Sequence, residues 1–192
     1  MTVSFRTIGF TVLSAAVLLV TAAFPAGQAA AEGFTATAAV KAAGGASASA
    51  PVTITIDRKM SQREADTLTA AFKNGGAAAL RKALVGVAPT GSVRIGAGSV
   101  TPTRFTIERP TGTGRLLTIL TDQPLAFVGA GVPGAKAKEG YDFAVIDIEV
   151  DAKGSGSGTL APAAKIKMNQ NAFVVEDYGA EAVRLTAVTK TK

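Results

Sequence analysis

The side chains able to do chemistry are mostly carboxylates, and they cluster by spacing. Asp147, Glu149 and Asp151 alternate along one run, and carboxylates at i,i+2 on a strand share a face where they could hold a cation or move protons. Asp122, Glu149, Glu176 and Tyr178 are the candidate binding residues, and two carboxyls drawn from Asp122, Glu149 and Glu176 would suit glycoside hydrolysis if a cleft brought them within about 5–9.5 Å. Opposed to this is a plain reading: a solvated strand face, with Lys165 on a partner strand opposite it, and turns that need Asp and Gly.

The missing residue types exclude more. With no His and no Cys, the chain lacks the means for Ser-His-Asp hydrolysis, a thiol nucleophile, a zinc site of the N/S type, or haem on His or thiolate. Gly129-Ala-Gly131-Val-Pro-Gly134 fits G-x-G-x-x-G, yet only Ala135 to Glu139 separate it from Gly140. No crossover helix fits there, so no helix end is available for a pyrophosphate. The tip Asp151 to Gly158 has one acid where a calcium loop needs several. No cofactor and no metal are expected. The leaning is toward a protein that is not an enzyme.

These groups must be positioned by strands. Tyr141 to Met168 is the organising stretch. Ala144, Ile146, Ile148 and Val150 alternate with Val145, Asp147, Glu149 and Asp151, the period of a half-buried strand. After Asp-Ala-Lys-Gly-Ser-Gly-Ser-Gly, alternation resumes with Leu160, Ala164, Ile166 and Met168 on one parity. The pattern predicts a long hairpin with a flexible glycine–serine tip, and an edge or bulge at Pro162. Val52 to Arg58 is a strand with Thr on one face; Arg104 to Arg109 and Arg115 to Thr121 flank a tip at Pro110 to Gly114. Val93 to Gly96, Leu125 to Val128, Phe173 to Glu176 and Ala182 to Val188 complete the strands.

Helix is confined to one place. Ser61-Gln-Arg-Glu64 is a capping box, and Leu68, Ala71 and Phe72 form the stripe behind it. Asn74-Gly75-Gly76 ends that helix, and Ala77 to Val85 makes a second, with Leu80 and Leu84 at i,i+4. Short connections make neighbouring strands antiparallel. The expected fold is α+β: a mainly antiparallel sheet, curled or two-layered, with one helical pair near the start of the mature domain.

The first 31 residues read as an export signal. Arg6 precedes an apolar run from Ile8 to Phe24, and small residues at Gly27, Ala29 and Ala31 suit a signal peptidase. Residues 32–50 read as an Ala/Gly/Ser-rich linker or, at Phe34 to Val40, a weak edge strand, and 51–192 as one globular domain. That domain must fold without disulfides, which its size permits. The expected location is periplasmic or extracellular, with no stable membrane span once the signal is removed. Without Arg6 the 20 Lys and Arg become 19 against 14 Asp and Glu, a net of +5. An anionic envelope polymer is therefore an electrostatically sensible partner. Nucleic acid is not, since no basic stripe carries interleaved exposed aromatics.

Val52-Thr-Ile-Thr-Ile-Asp-Arg58, Leu117-Thr-Ile-Leu-Thr-Asp-Gln-Pro124, the hairpin's Asp151-Ala-Lys-Gly154-Ser-Gly156, and Val175-Glu-Asp-Tyr178 followed by Val183-Arg-Leu-Thr186 resemble a family of uncharacterised exported bacterial proteins. The resemblance runs from about Val52 to Val188 and implies export and a single domain; it implies no activity, cofactor or catalytic residue. The expected function is binding or structural support in the envelope or outside the cell. A carboxylate-dependent, glycosidase-like hydrolase and a binder of a small apolar ligand inside a closed barrel are the alternatives.

Overall fold

The computed structural model describes residues 31–41, 47–127, 139–170, 172–178 and 182–191. Residues 1–30 of the segment read as an export signal, and the glycine pattern at 129–134, lie outside them. Ten strands form one antiparallel sheet, with a helical pair packed on its outside: β1 Glu32–Lys41, β2 Ser47–Ile56, α1 Gln62–Val85, β3 Gly91–Ile95, β4 Thr101–Thr103, β5 Phe105–Pro110, β6 Gly114–Leu120, β7 Phe143–Asp151, β8 Ser155–Asn169, β9 Ala172–Asp177 and β10 Val183–Thr191. The order is β4-β3-β2-β1-β10-β8-β7-β6-β5, with β9 paired to the far half of β8.

The two ends of that path are one continuous run of chain. β4 pairs with β3, β5 pairs with β6, and only Arg104 separates β4 from β5, so the sheet curls into a nearly closed barrel. The corner is held by hydroxyls. Thr90 Oγ1 lies 3.1 Å from Thr103 Oγ1 and 2.8 Å from Thr106 Oγ1, all three residues buried, while the Thr90 amide donates to the Thr103 carbonyl at 2.8 Å. A buried hydroxyl without a partner would be costly, and here each satisfies another.

The barrel interior is packed with side chains rather than hollow. Phe34, Ala36 and Ala38 of β1, Val52, Ile54 and Ile56 of β2, Leu117 and Ile119 of β6, and Ile146, Ile148 and Val150 of β7 all point inward and are buried. That is the expected filling for a barrel of about eight strand positions. A second cluster lies on the outside of one wall, where Leu68, Leu80 and Leu84 of the helical pair cover Phe105, Leu120, Phe143, Val145, Ala161, Ile166 and Phe173.

The helical pair forms as its sequence directs. Ser61 Oγ accepts from the Glu64 amide at 3.3 Å and the Ser61 amide donates to Glu64 Oε2 at 2.8 Å, the reciprocal capping box. Helical geometry is broken at Gly75 and Gly76, where Gly76 takes φ 64°. Only glycine enters that region at little cost, and the break re-aims the second segment onto the sheet.

Four expectations are corrected. Residues Phe34 to Val40 are not a weak edge strand: β1 lies inside the sheet, between β2 and β10, and Phe34 is fully buried. Its other partner, β10, comes from the far end of the chain, so no local pattern reveals it. The hairpin tip is shorter than Asp151 to Gly158, because β8 starts at Ser155. Gly156 pairs with Val150 and Gly158 with Ile148, and a Cβ on either would strike the backbone of β7. Leu160 and Ala164 share a parity but not a face. The register slips between Phe143 and Val145, which places a bulge at Pro162–Ala163 as proline predicted, so Leu160 joins the interior while Ala164 and Ile166 join the outer cluster. Finally, Leu125 and Ala126 are not strand; Leu125 plugs the barrel interior, its amide donating to the Pro162 carbonyl at 2.8 Å.

Candidate functional site

The inward alternation of four strands runs one step past the apolar core and ends in charge. Glu32 follows Phe34 outward along β1, Arg115 follows Leu117 along β6, Lys190 follows Val188 along β10, and Glu108 follows Thr106 along β5. They meet at one mouth of the barrel, joined by Lys59 just beyond β2. Arg115 holds Glu32 through two hydrogen bonds, Nη1 to Oε1 at 3.2 Å and Nη2 to Oε2 at 2.9 Å, and reaches Glu108 Oε2 from Nη1 at 2.8 Å. Lys59 Nζ contacts Glu108 and lies 3.7 Å from Glu32; Lys190 Nζ lies 3.5 Å from Glu32. The Arg115 guanidinium sits 6.0 Å from the ring centre of Phe34, the last apolar layer beneath it.

Burial works against the charge on Glu32, whose side chain is only 12% exposed. The hydrogen bonds from Arg115 and the charges of Lys59, Arg115 and Lys190 outweigh it and hold the carboxyl below its ordinary value. Glu108 follows the same balance: burial opposes ionisation, and Lys59 and Arg115 prevail. The network borders a cleft of about 480 Å³, walled on its other side by the hairpin tip from Asp151 to Gly154. Asp151 itself serves the turn. Its Oδ1 accepts from the Lys153 amide at 2.8 Å and the Ser155 amide at 2.9 Å.

The residues singled out from sequence are placed apart. Asp122 follows β6 and forms an ion pair with Arg104, Nε to Oδ2 at 3.3 Å, while Arg104 Nη1 donates to the Val87 carbonyl at 2.8 Å; this clamps the barrel corner. Glu149 is exposed on the outside of β7, toward the opposite end of the β6–β7 pair, with Thr113 Oγ1 3.4 Å away. Glu176 is exposed on β9 and pairs with Lys165 at 3.5 Å. Tyr178 packs half-buried against the outer cluster. Lys165 therefore faces β9 and not the carboxylates of β7. Asp147, the third of those, is half-buried; loss of water pushes its carboxyl up, against the Thr118 hydroxyl donating at 2.6 Å and the nearby Arg109. The described residues contain no cluster of acids arranged to hold a metal.

The sequence reading missed the mouth. The available signal was a charge at the inward parity just past an apolar run, as in Glu32-x-Phe34-x-Ala36-x-Ala38 and Arg115-x-Leu117-x-Ile119.

A second feature is the wall that the helices leave bare. Registered neighbours across it read Arg94, Thr53, Thr35, Thr189 and Ser155 in one row, and Pro51, Thr37 and Thr186 in the next. Nearly all are exposed. Arg184 lies between Ala39 and Thr159, with Lys41 two residues beyond Ala39. The outward positions of β1, β2, β3 and β10 hold no carboxylate, and Lys41, Arg94 and Arg184 have no acidic partner among the described residues. No helix among the described residues is long and apolar enough to cross a membrane. Comparison of the chain with protein-family models, with curated proteins and with solved structures returns no match.

Proposed function

We propose that this is an exported, non-enzymatic binding module whose bare wall docks an anionic, hydroxyl-rich polymer of the cell envelope. One observation carries the reading: the outward face of β3-β2-β1-β10 presents rows of Thr and Ser hydroxyls with Lys41, Arg94 and Arg184 and no compensating acid. Hydroxyls exchange hydrogen bonds with a sugar backbone at little cost, since both partners leave water for equivalent contacts. Unpaired cations supply attraction over a distance set by salt, about 8–10 Å at ordinary ionic strength. The barrel is a rigid support for this face, as its core is packed.

The test is retention on immobilised polyuronate compared with a neutral glucan. Retention on polyuronate that weakens steeply with salt, and that is lost in the triple variant Lys41→Gln, Arg94→Gln, Arg184→Gln, is the expected result. Equal retention on the neutral glucan, or binding indifferent to salt, would remove the reading.

A further inference from the structure

The three cations of the bare wall are not equivalent. Arg94 stands alone on β3, opposite Thr53. Arg184 and Lys41 stand together. Arg184 pairs in register with Ala39 of β1, and Lys41 lies two residues further along the same outward parity. Diagonal neighbours on adjacent strands are about 7–8 Å apart, a span that two long side chains bridge easily. Both residues are exposed, and neither has an acidic partner among the described residues. The next carboxylate along that row is Asp147, beyond Thr159. It takes the Thr118 hydroxyl, and the cation acting on it is Arg109 rather than Arg184.

Two like charges side by side on a sheet repel, so the pair costs free energy until an anion sits between them. The floor between them is small. Ala39 has only a methyl group, Ser49 stands opposite it on β2, and Ser47 stands opposite Lys41. An anion seated over Ala39 would meet the Arg184 fork on one side, a Ser49 hydroxyl on the other and the Lys41 ammonium at one end. A guanidinium grips two oxygens of one group in parallel, and an ammonium adds a point charge. A carboxylate has two oxygens and one charge, which leaves one cation unanswered. A phosphate monoester has three free oxygens and carries about −1.5 to −2 at neutral pH, so it answers both cations at once.

We infer that Lys41 and Arg184 form a clamp for a phosphate monoester. The clamp names the acid group of the polymer that the wall docks, and to that extent it rests on the function proposed above; the pairing of the two cations over Ala39 does not. The phosphate belongs either to an ester on a glycan or to free inorganic phosphate, which share this chemistry.

The experiment is an amide-shift titration of the whole chain with glucose 6-phosphate, inorganic phosphate, glucuronate and glucose. Saturable shifts centred on Ala39, Lys41 and Arg184 are expected from both phosphates, with glucuronate weaker by about tenfold, a difference of about 1.4 kcal/mol, and glucose silent. Binding should weaken several-fold from about pH 7.5 to about pH 5, because the phosphate loses its second charge near pH 6 while both cations keep theirs. Lys41→Gln and Arg184→Gln should each weaken glucose 6-phosphate by about tenfold. Lys167→Gln removes the same charge from an exposed position on β8 and should leave binding unchanged. Tighter binding of glucose 6-phosphate than of inorganic phosphate identifies an ester on a glycan; equal or weaker binding identifies free phosphate. The proposal is overturned if neither phosphate moves these amides, if glucuronate matches them, if binding ignores pH, or if Lys167→Gln weakens it as much as the clamp variants do. Phosphate binding without retention on polyuronate would remove the polyuronate reading and leave the clamp; retention without phosphate binding would do the reverse.

Discussion

The barrel has two outer walls built on one interior, and they differ in what their outward residues are. On the wall from β5 to β9 the outward positions are Phe105, Leu120, Phe143, Val145 and Phe173, and the helical pair lies on them. On the wall from β3 to β10 they are Thr35, Thr37, Thr53, Thr186 and Thr189, and nothing among the described residues covers them. Both sets favour strands, because aromatic and β-branched side chains suit a pleated surface. Only one set needs shielding from water. The position of the helices is thus dictated by the outward parity of the strands, and the uncovered wall is free of any packing duty.

The largest effect should come from opening the covered wall. Phe173 is buried and meets Phe105 and Phe72 edge-on, with ring centres 5.2 Å and 5.6 Å away. Phe173→Ala removes the central ring of that stack and leaves a cavity. A loss of about 3–5 kcal/mol in denaturant unfolding is expected. A loss as small as that of a substitution on the bare wall would mean that the helical pair is not fastened there.

The mouth should show itself through acid. Glu32 and Glu108 have folded pKa values below their ordinary 4.5, so folding favours their charged forms. Their contribution is complete above that ordinary value and disappears as pH falls through the lower folded values. Denaturant midpoints compared between neutral pH and about pH 3 should drop further for the parent than for Glu32→Gln/Glu108→Gln, because only the parent has these two groups to protonate. Parallel pH profiles for the two proteins would show that the network does not stabilise the fold. Asp147 has the opposite shift, raised by burial, and being common to both proteins it cancels in the comparison.

How far the sequence revealed all this depended on the distance over which each feature is encoded. The capping box is written in Ser61 to Glu64 and forms as expected. The interior face of β2 is written in Val52, Ile54 and Ile56, and the β5–β6 hairpin in the tip between them. What local pattern could not show were encounters between distant strands. The interior position of β1 depends on β10, and the mouth needs one residue from each of four strands and a loop. The bulge at Pro162–Ala163 could be anticipated from proline, but not its consequence that later even-numbered residues change faces. The candidate carboxylates were chosen by residue type, and type carries no information about convergence: Asp122 clamps a corner, while Glu149 and Glu176 stand on separate strands.

A smaller effect is expected from relieving strain in the bare wall. Ala187 is the bulge residue of β10, with φ 51°, where the register with both β1 and β8 slips. A Cβ in the left-handed region costs about 1–2 kcal/mol, partly offset in a glycine variant by the greater freedom of its unfolded chain. Ala187→Gly should therefore stabilise by about 0.5–1 kcal/mol, read as a raised denaturant midpoint. An unchanged or lower midpoint would mean that the alanine side chain contributes contacts which match the strain.

The smallest expected effect on stability tests the comparison most directly. Thr35 is exposed in the middle of the bare wall, opposite Thr53 on one side and Thr189 on the other. Thr35→Val keeps the branched Cβ that a strand prefers and deletes the hydroxyl, so unfolding should shift by no more than about 0.5 kcal/mol. The same substitution should reduce retention on polyuronate, since a methyl group then faces the sugar backbone where a hydrogen-bonding group stood. If stability falls by as much as in the covered wall, the row of threonines is part of the fold's own support and the two walls are not different in kind. If stability holds while retention drops, the hydroxyls contribute to binding something that the folding of the barrel does not require.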